Sequence, residues 1–264
     1  MLEVRKLTKI FNPGTINEKL ALDQVDLSLA PGDFVTVIGG NGAGKSTLLN
    51  CVAGVYRPEA GTIHLDGERV DKMKEHQRAR YLGRVFQDPL MGTAADMEIQ
   101  ENLALALRRG TLRGLSWGVT AREKADFHKK LSQLGLGLED RMTVKVRLLS
   151  GGQRQALTLL MATLNRPKVL LLDEHTAALD PKTAQKVLEL SDRFIQEDHL
   201  TAMMVTHNMR DALRHGNRLI MMHEGNIILE VEGEEKKSMT VQDLLNKFEE
   251  ISGKELASDR MLLT

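Results

Sequence analysis

The sequence predicts an α/β fold in which a mostly parallel sheet is covered by helices on both faces and interrupted by one helical insertion. Three observations carry that reading. Runs such as "VLLLD" at 169–173 and "AMMVT" at 202–206 are apolar without alternation, as strands buried on both faces are. Helical patterns stand between several such runs, which is the order of β–α–β units. From roughly 90 to 150 there is no convincing strand, and the helical spacing predicts an insertion spanning about 90–165.

The elements follow in order. Strand-like runs fall at 2–10, 34–39, 61–67, 168–173, 201–206, 218–222 and 226–233. Helices are expected at 45–54 and at 98–108, where Ile99, Leu103 and Leu107 share a face. Another opens at the capping box of Thr120 with Glu123, presents Phe127, Leu131 and Leu134, and can stop at Gly135. Helical patterns at 151–164 and 181–197 come next. A last helix opens at Thr240 with Asp243 and presents Val241, Leu244, Leu245 and Phe248. One domain is therefore expected over 1–252, followed by a poorly ordered tail at 253–264.

Composition narrows the function. The chain has 264 residues, enough for a full-sized core. Lys plus Arg and Asp plus Glu both number 36, so no net basic field points to nucleic acid as a partner. The single cysteine, Cys51, rules out an internal disulfide, fits a reducing compartment and reads as a small core residue. No apolar run approaches the ~18 residues of a spanning helix, and the start alternates like a strand rather than a signal peptide. A cytoplasmic chain that reaches a membrane only through a partner is expected. The methionines of "AMMVT" and "LIMM" read as core packing.

The strongest chemical signal is "FVTVIGGNGAGKSTLL", a strand, a glycine loop and a helix. Gly39, Gly44, Lys45 and Ser46 meet the P-loop spacing. Across Gly39, Gly40, Asn41, Gly42, Ala43 and Gly44 the backbone N–H groups can turn inward around phosphates, and Lys45 can reach the β- and γ-phosphates. The Ser46 hydroxyl can ligate Mg²⁺, and Thr47 falls near the α-phosphate. Downstream, "KVLLLDE" ends a buried strand in two carboxylates. Asp173 is placed to hold Mg²⁺, a hard cation that prefers oxygen, and Glu174 to act as general base on the attacking water.

A second signal is "LLSGGQRQAL" at 148–157. Ser150 can cap the helix, yet Gly151 and Gly152 are poor helix formers placed in its first turn. They leave N–H groups bare at a positively polarised helix start, which suits an anion.

Together these residues resemble the nucleotide-binding subunit of an ATP-binding-cassette (ABC) transporter, over about residues 2–250. Ser150 precedes Asp173 by 23 positions, similar to the family's separation. The resemblance implies a P-loop NTPase core, an N-terminal antiparallel β subdomain, an inserted α-helical subdomain, and ATP hydrolysis with Mg²⁺. It implies that Phe11 stacks on adenine, and that Gln87 in "VFQDP" senses Mg²⁺ and nucleotide. It further implies that Asp180 in "TAALD" links two sites and that His207 in "VTHN" contacts the γ-phosphate. The family works as a head-to-tail dimer formed on ATP. Ser150, Gly151, Gly152 and Gln153 of one subunit then face the nucleotide on the other's P-loop.

Two positions depart from the family's common pattern. His175 follows Glu174 where many members carry proline, and "LTLLMATLNRP" lacks an arginine that many relatives have. Without a span of its own, the chain resembles an importer subunit on the cytoplasmic face of the membrane. Its partners would be a separate permease and an extracytoplasmic solute-binding protein, with a small polar solute such as an amino acid as cargo. The alternative is a soluble assembly ATPase, as in iron–sulfur-cluster biogenesis. A chromosome-organising ATPase is disfavoured because no sustained heptads appear. The stretch 108–122 carries Arg108, Arg109, Arg113 and Arg122 with no acid, and Trp117 beside them. It reads either as a solvated loop or as a contact with permease or anionic lipid.

Overall fold

The computed structural model describes residues 2–110 and 118–252. In chain order the first elements are β1 (Leu2–Phe11), β2 (Lys19–Leu29), β3 (Phe34–Ile38), α1 (Lys45–Ala53), β4 (Ala60–Leu65) and β5 (Glu68–Arg69). Then come α2 (Glu75–Arg78), β6 (Leu82–Val85), α3 (Ile99–Leu107), α4 (Ala121–Ser132), α5 (Gly151–Thr163) and β7 (Val169–Asp173). The chain continues through α6 (Pro181–Glu197), β8 (Thr201–Val205), α7 (Met209–Arg214) and β9 (Arg218–His223). It closes with β10 (Asn226–Glu232), α8 (Gly233–Ser238) and α9 (Val241–Ser252).

Two sheets form. The larger has the order β10-β9-β3-β8-β7-β6 and is parallel except where β10 pairs with β9. The smaller, β2-β1-β4-β5, is antiparallel throughout. Helix α1 packs between them: its Leu48, Leu49 and Val52 share a core with Leu2, Val4 and Leu29 of one sheet and Val35 and Val37 of the other.

The apolar strands divide their residues between two cores, which is why they show no alternation. Val169 and Leu171 face α1, while Leu170 and Leu172 face α5 and α6. Met203 and Met204 split in the same way, so these methionines are core. Between β6 and β7 the chain forms α3, α4 and α5, whose Leu103, Phe127, Leu131 and Leu157 share one apolar cluster. A third cluster seats α7 and α9 against β9 through Met209, Leu244, Phe248 and Leu219.

Helix starts obey their capping residues. Thr120 accepts from the Glu123 N–H, Ser150 from Gln153, and Asp180 from Thr183 ahead of Pro181. Cys51 lies buried in α1, and burial pushes its thiol up to about 12. In the basic loop, Arg108 pairs with Glu123 at 2.7 Å and Arg109 donates to the Ala162 carbonyl at 3.4 Å. The expectation of four arginines offered outward is therefore corrected for these two, which are tied into the helical insertion. Arg122 is exposed. Arg113, Trp117 and the tail 253–264 lie outside the described residues.

Candidate functional site

The phosphate loop leaves β3 at its C-terminal end and closes on α1. Two of its glycines are required by close backbone approach. A Cβ on Gly39 (φ +149°) would strike the Met222 carbonyl oxygen, and one on Gly44 (φ +103°) would lie 2.7 Å from the Ala21 carbonyl oxygen. Gly44 also begins α1, where its carbonyl accepts from the Leu48 N–H at 2.8 Å.

The Lys45 ammonium is buried and donates to the carbonyls of Gly39 (2.7 Å) and Gly40 (3.0 Å). It is thus curled back over its own loop. Phe11, Asn41, Gly42, Ala43, Gly44, Lys45, Ser46, Thr47 and Glu174 line one cavity of about 230 Å³. Phe11 packs edge-on to Tyr56, with centroids 5.2 Å apart.

Strand β7 delivers the carboxylates beside this cavity. Asp173 ends the strand, and burial raises it above the usual carboxylate range against the opposing pull of Arg84, whose Nη2 lies 3.3 Å from its Oδ2. Glu174 adds to that rise and Lys45 opposes it. A half-buried carboxylate that resists its charge, with the Ser46 hydroxyl on the adjoining loop, suits a hard divalent cation such as Mg²⁺. Glu174 adopts φ +43°, a left-handed conformation that costs a non-glycine residue about 1 kcal/mol. Its N–H donates to the Val205 carbonyl at 3.0 Å. Its carboxylate lies 3.7 Å from Nδ1 of the exposed His207.

The other expected residues lie elsewhere. Gln87 is exposed just beyond β6 and does not line the phosphate cavity. Asp180 is exposed at the start of α6, where the hydrogen bonds from Thr183 hold it below the usual carboxylate range. Ser150, Gly152 and Gln153 line a different cavity, of about 380 Å³, with Lys182, Thr183 and Lys186.

The structure gives local reasons for most of the glycine-rich helix start. Ser150 Oγ accepts from the Gln153 N–H at 3.3 Å, and Gln153 Oε1 accepts from the Ser150 N–H at 3.2 Å. Gly152 is buried, and a Cβ there would collide with the Thr183 side chain. Bare amides alone thus do not account for Gly152: α5 must touch α6 at that point. Gly151 is exposed, with ordinary space beside it.

Three contributors were missed by sequence reasoning. Lys19 and Ala21 of β2 line the phosphate cavity, with Lys19 Nζ 3.2 Å from where a Gly42 Cβ would stand. Arg84 donates to Asn50 Oδ1 at 2.7 Å besides pairing with Asp173. A lone charge inside the short apolar run "LGRVF" was the available signal for Arg84. His175 is fully buried beside the site, and burial pushes its imidazole down to about 4, with His215 adding to the fall and Asp192 opposing it.

Residues 22–177 match the family described as ABC transporter. The chain is 46% identical over 255 residues to the tyrosine transport ATP-binding protein of Clostridioides difficile, covering 94% of this chain and 99% of that one. It is 35% identical over 226 residues to a lipoprotein-releasing system ATP-binding protein of Caulobacter vibrioides, covering 84% and 92%. Among solved structures it resembles the dimeric post-hydrolysis state of an ATP-binding cassette bound to ADP and phosphate. That match has a TM-score of 0.75 and 29% identity, over 88% of this chain and 98% of that one.

Proposed function

This chain belongs to the ABC transporter family of ATPases, and from that premise we propose that it powers a membrane importer for a small polar solute, with an aromatic amino acid as the favoured class. The observation that carries the substrate class is the 46% identity, over nearly the whole of both chains, to a relative named for tyrosine transport. Among the described residues no helix is long and apolar enough to cross a membrane. In this reading a separate permease, served by an extracytoplasmic solute-binding protein, supplies the path, and the chain sits on its cytoplasmic face.

ATP occupies the cavity of the phosphate loop, with adenine stacked on Phe11. The amides from Gly39 to Thr47 wrap the phosphates, and Lys45 exchanges its loop carbonyls for β- and γ-phosphate oxygens. Mg²⁺ would be held by Ser46 and Asp173 and would neutralise charge on the β- and γ-phosphates, with Gln87 reaching it only if the segment after β6 moves toward the phosphate loop. Glu174 takes a proton from water as its oxygen attacks the γ-phosphorus and the bond to the β-phosphate oxygen breaks. His207 contacts the γ-phosphate from the Glu174 side.

In one chain the glycine-rich start of α5 and the phosphate loop line separate cavities. A second copy therefore presents Ser150, Gly151, Gly152 and Gln153 to the γ-phosphate, and two-fold symmetry makes two such sites. Asp180, beside that start, links them.

Two experiments bear on this reading. Uptake of labelled tyrosine should fall in cells lacking the chain and return with the parent sequence but not with Glu174→Gln. Uptake unchanged by the deletion would remove the substrate assignment. Lys19→Ala should raise the Kd for both ATP and ADP about fivefold, as an exposed cation facing phosphate does. Equal affinities in parent and variant, measured by equilibrium titration, would take Lys19 out of the site.

A further inference from the structure

We propose that His175 is a positioning residue for Glu174: through a buried hydrogen bond to Ser191 of α6 it holds the strand-to-helix link on which Glu174 rides. The proposal rests on the reading of Glu174 as the base. From Glu174 to Asp180, the whole connection between β7 and α6, His175 is the one buried residue. Within the link the Ala177 N–H donates to the Glu174 carbonyl at 3.0 Å and the Leu179 N–H to the Thr176 carbonyl at 3.1 Å, while the Glu174 N–H ties its start to the Val205 carbonyl of β8. Glu174 itself stands in a left-handed conformation, which persists only where the surroundings enforce it. At the far end Asp180 caps the first turn of α6 through the Thr183 N–H, and His175 is the link's buried side-chain bond to the middle of that helix.

The fastening is directional. Ser191 Oγ donates its one proton to the Val187 carbonyl at 2.9 Å, so at the 3.0 Å contact with His175 it must accept. His175 Nε2 therefore carries a proton and donates it to Ser191 Oγ. The anchor does not move freely, because Leu188, Phe194 and Ile195 bury α6 in the core around Ser191. On the next residue, Asp192 pairs with Nδ1 of His215 at 2.7 Å, and Lys236 donates to the carbonyls of His215 and Gly216. A proline at position 175 would stiffen the link through its own ring. Here a side-chain bond to α6 does that work, and it makes the Glu174 carboxylate answer to the placement of α6.

The test compares ATP hydrolysis by the full chain carrying His175→Leu, His175→Gln, Ser191→Ala or both Leu and Ala changes, with Glu174→Gln alongside. Misplacing the base should lower kcat about tenfold in His175→Leu and in Ser191→Ala, with the KM for ATP within about twofold. Joining the two changes should add nothing, since both remove one bond. His175→Gln, whose amide can donate at similar reach, should recover most of the loss. Filling a core would not produce that rescue or that split between kcat and KM. If His175→Leu does not fold, Ser191→Ala, which deletes a single oxygen, decides the matter. Near-parental kcat in Ser191→Ala, or a His175→Gln no better than His175→Leu, overturns the positioning role while a slow Glu174→Gln leaves the base reading standing. Parental turnover in Glu174→Gln would instead overturn the base reading and the proposal with it.

Discussion

Replacing Glu174 with glutamine should cut ATP turnover by about 10³-fold and leave nucleotide affinity within about twofold. The substitution keeps the size and backbone preferences of the residue, so the left-handed turn at 174 and the bond to the Val205 carbonyl survive. What it removes is the acceptor for the water proton. Phosphoryl transfer asks little covalent chemistry of a protein beyond placing water, cation and γ-phosphate. Losing the base is therefore the largest loss a single isosteric change can cause here. Phosphate release in the steady state reports the first quantity and equilibrium ATP titration the second. Turnover above about a tenth of the parent would be more than a missing general base allows and would reassign the role.

The second large effect is a matter of symmetry. Lys45→Ala removes the phosphate grip of a chain's own loop, and Ser150→Arg spoils the helix start it offers its neighbour. In either mutant homodimer both composite sites lack one half, so neither should occlude ATP. A dimer with one of each chain differs: the Ser150→Arg chain keeps its phosphate loop, which faces the intact α5 of the Lys45→Ala chain. With Glu174→Gln throughout to stop turnover, such dimers should trap about one ATP against two for the parent. Purified mixed dimers that trap no more than the Ser150→Arg homodimer would show that α5 does not complete its neighbour's site.

Sequence made the long helices legible, and the short elements and one interrupted strand not. Helix α6 runs over Pro181–Glu197, the span its periodicity predicts, because seventeen residues with a cap and a proline leave little ambiguity. Strand β6 has four residues and a charge inside it, and α2, α7 and α8 have four to six, too few for a period to show. Strand β2 was missed although Leu22, Val25, Leu27 and Leu29 are buried, because charged residues and Gln24, at positive φ, interrupt its alternation.

Within the site, residues adjacent in the chain were readable and partnerships across the fold were not. The phosphate loop and the Asp173–Glu174 pair announce themselves through local spacing. Lys19 over Gly42, Arg84 against Asp173, Gly152 under Thr183 and His175 on Ser191 exist only after packing. No pattern in one sequence carries them. The two glycines of the α5 start show the difference most clearly, since one is exposed and the other is demanded by a neighbouring helix.

Cys51 gives the molecule a useful chemical silence. Its thiol is sealed inside α1 and pushed up to about 12, so at pH 8 only about 10⁻⁴ of it would be thiolate even before access is considered. The native fold is thus nearly blank to thiol reagents without any cysteine having to be removed. A cysteine introduced on the surface becomes the one address a dye, spin label or cross-linker can find. The approach of two such chains around ATP can then be followed in a protein whose own sulfur stays out of the measurement.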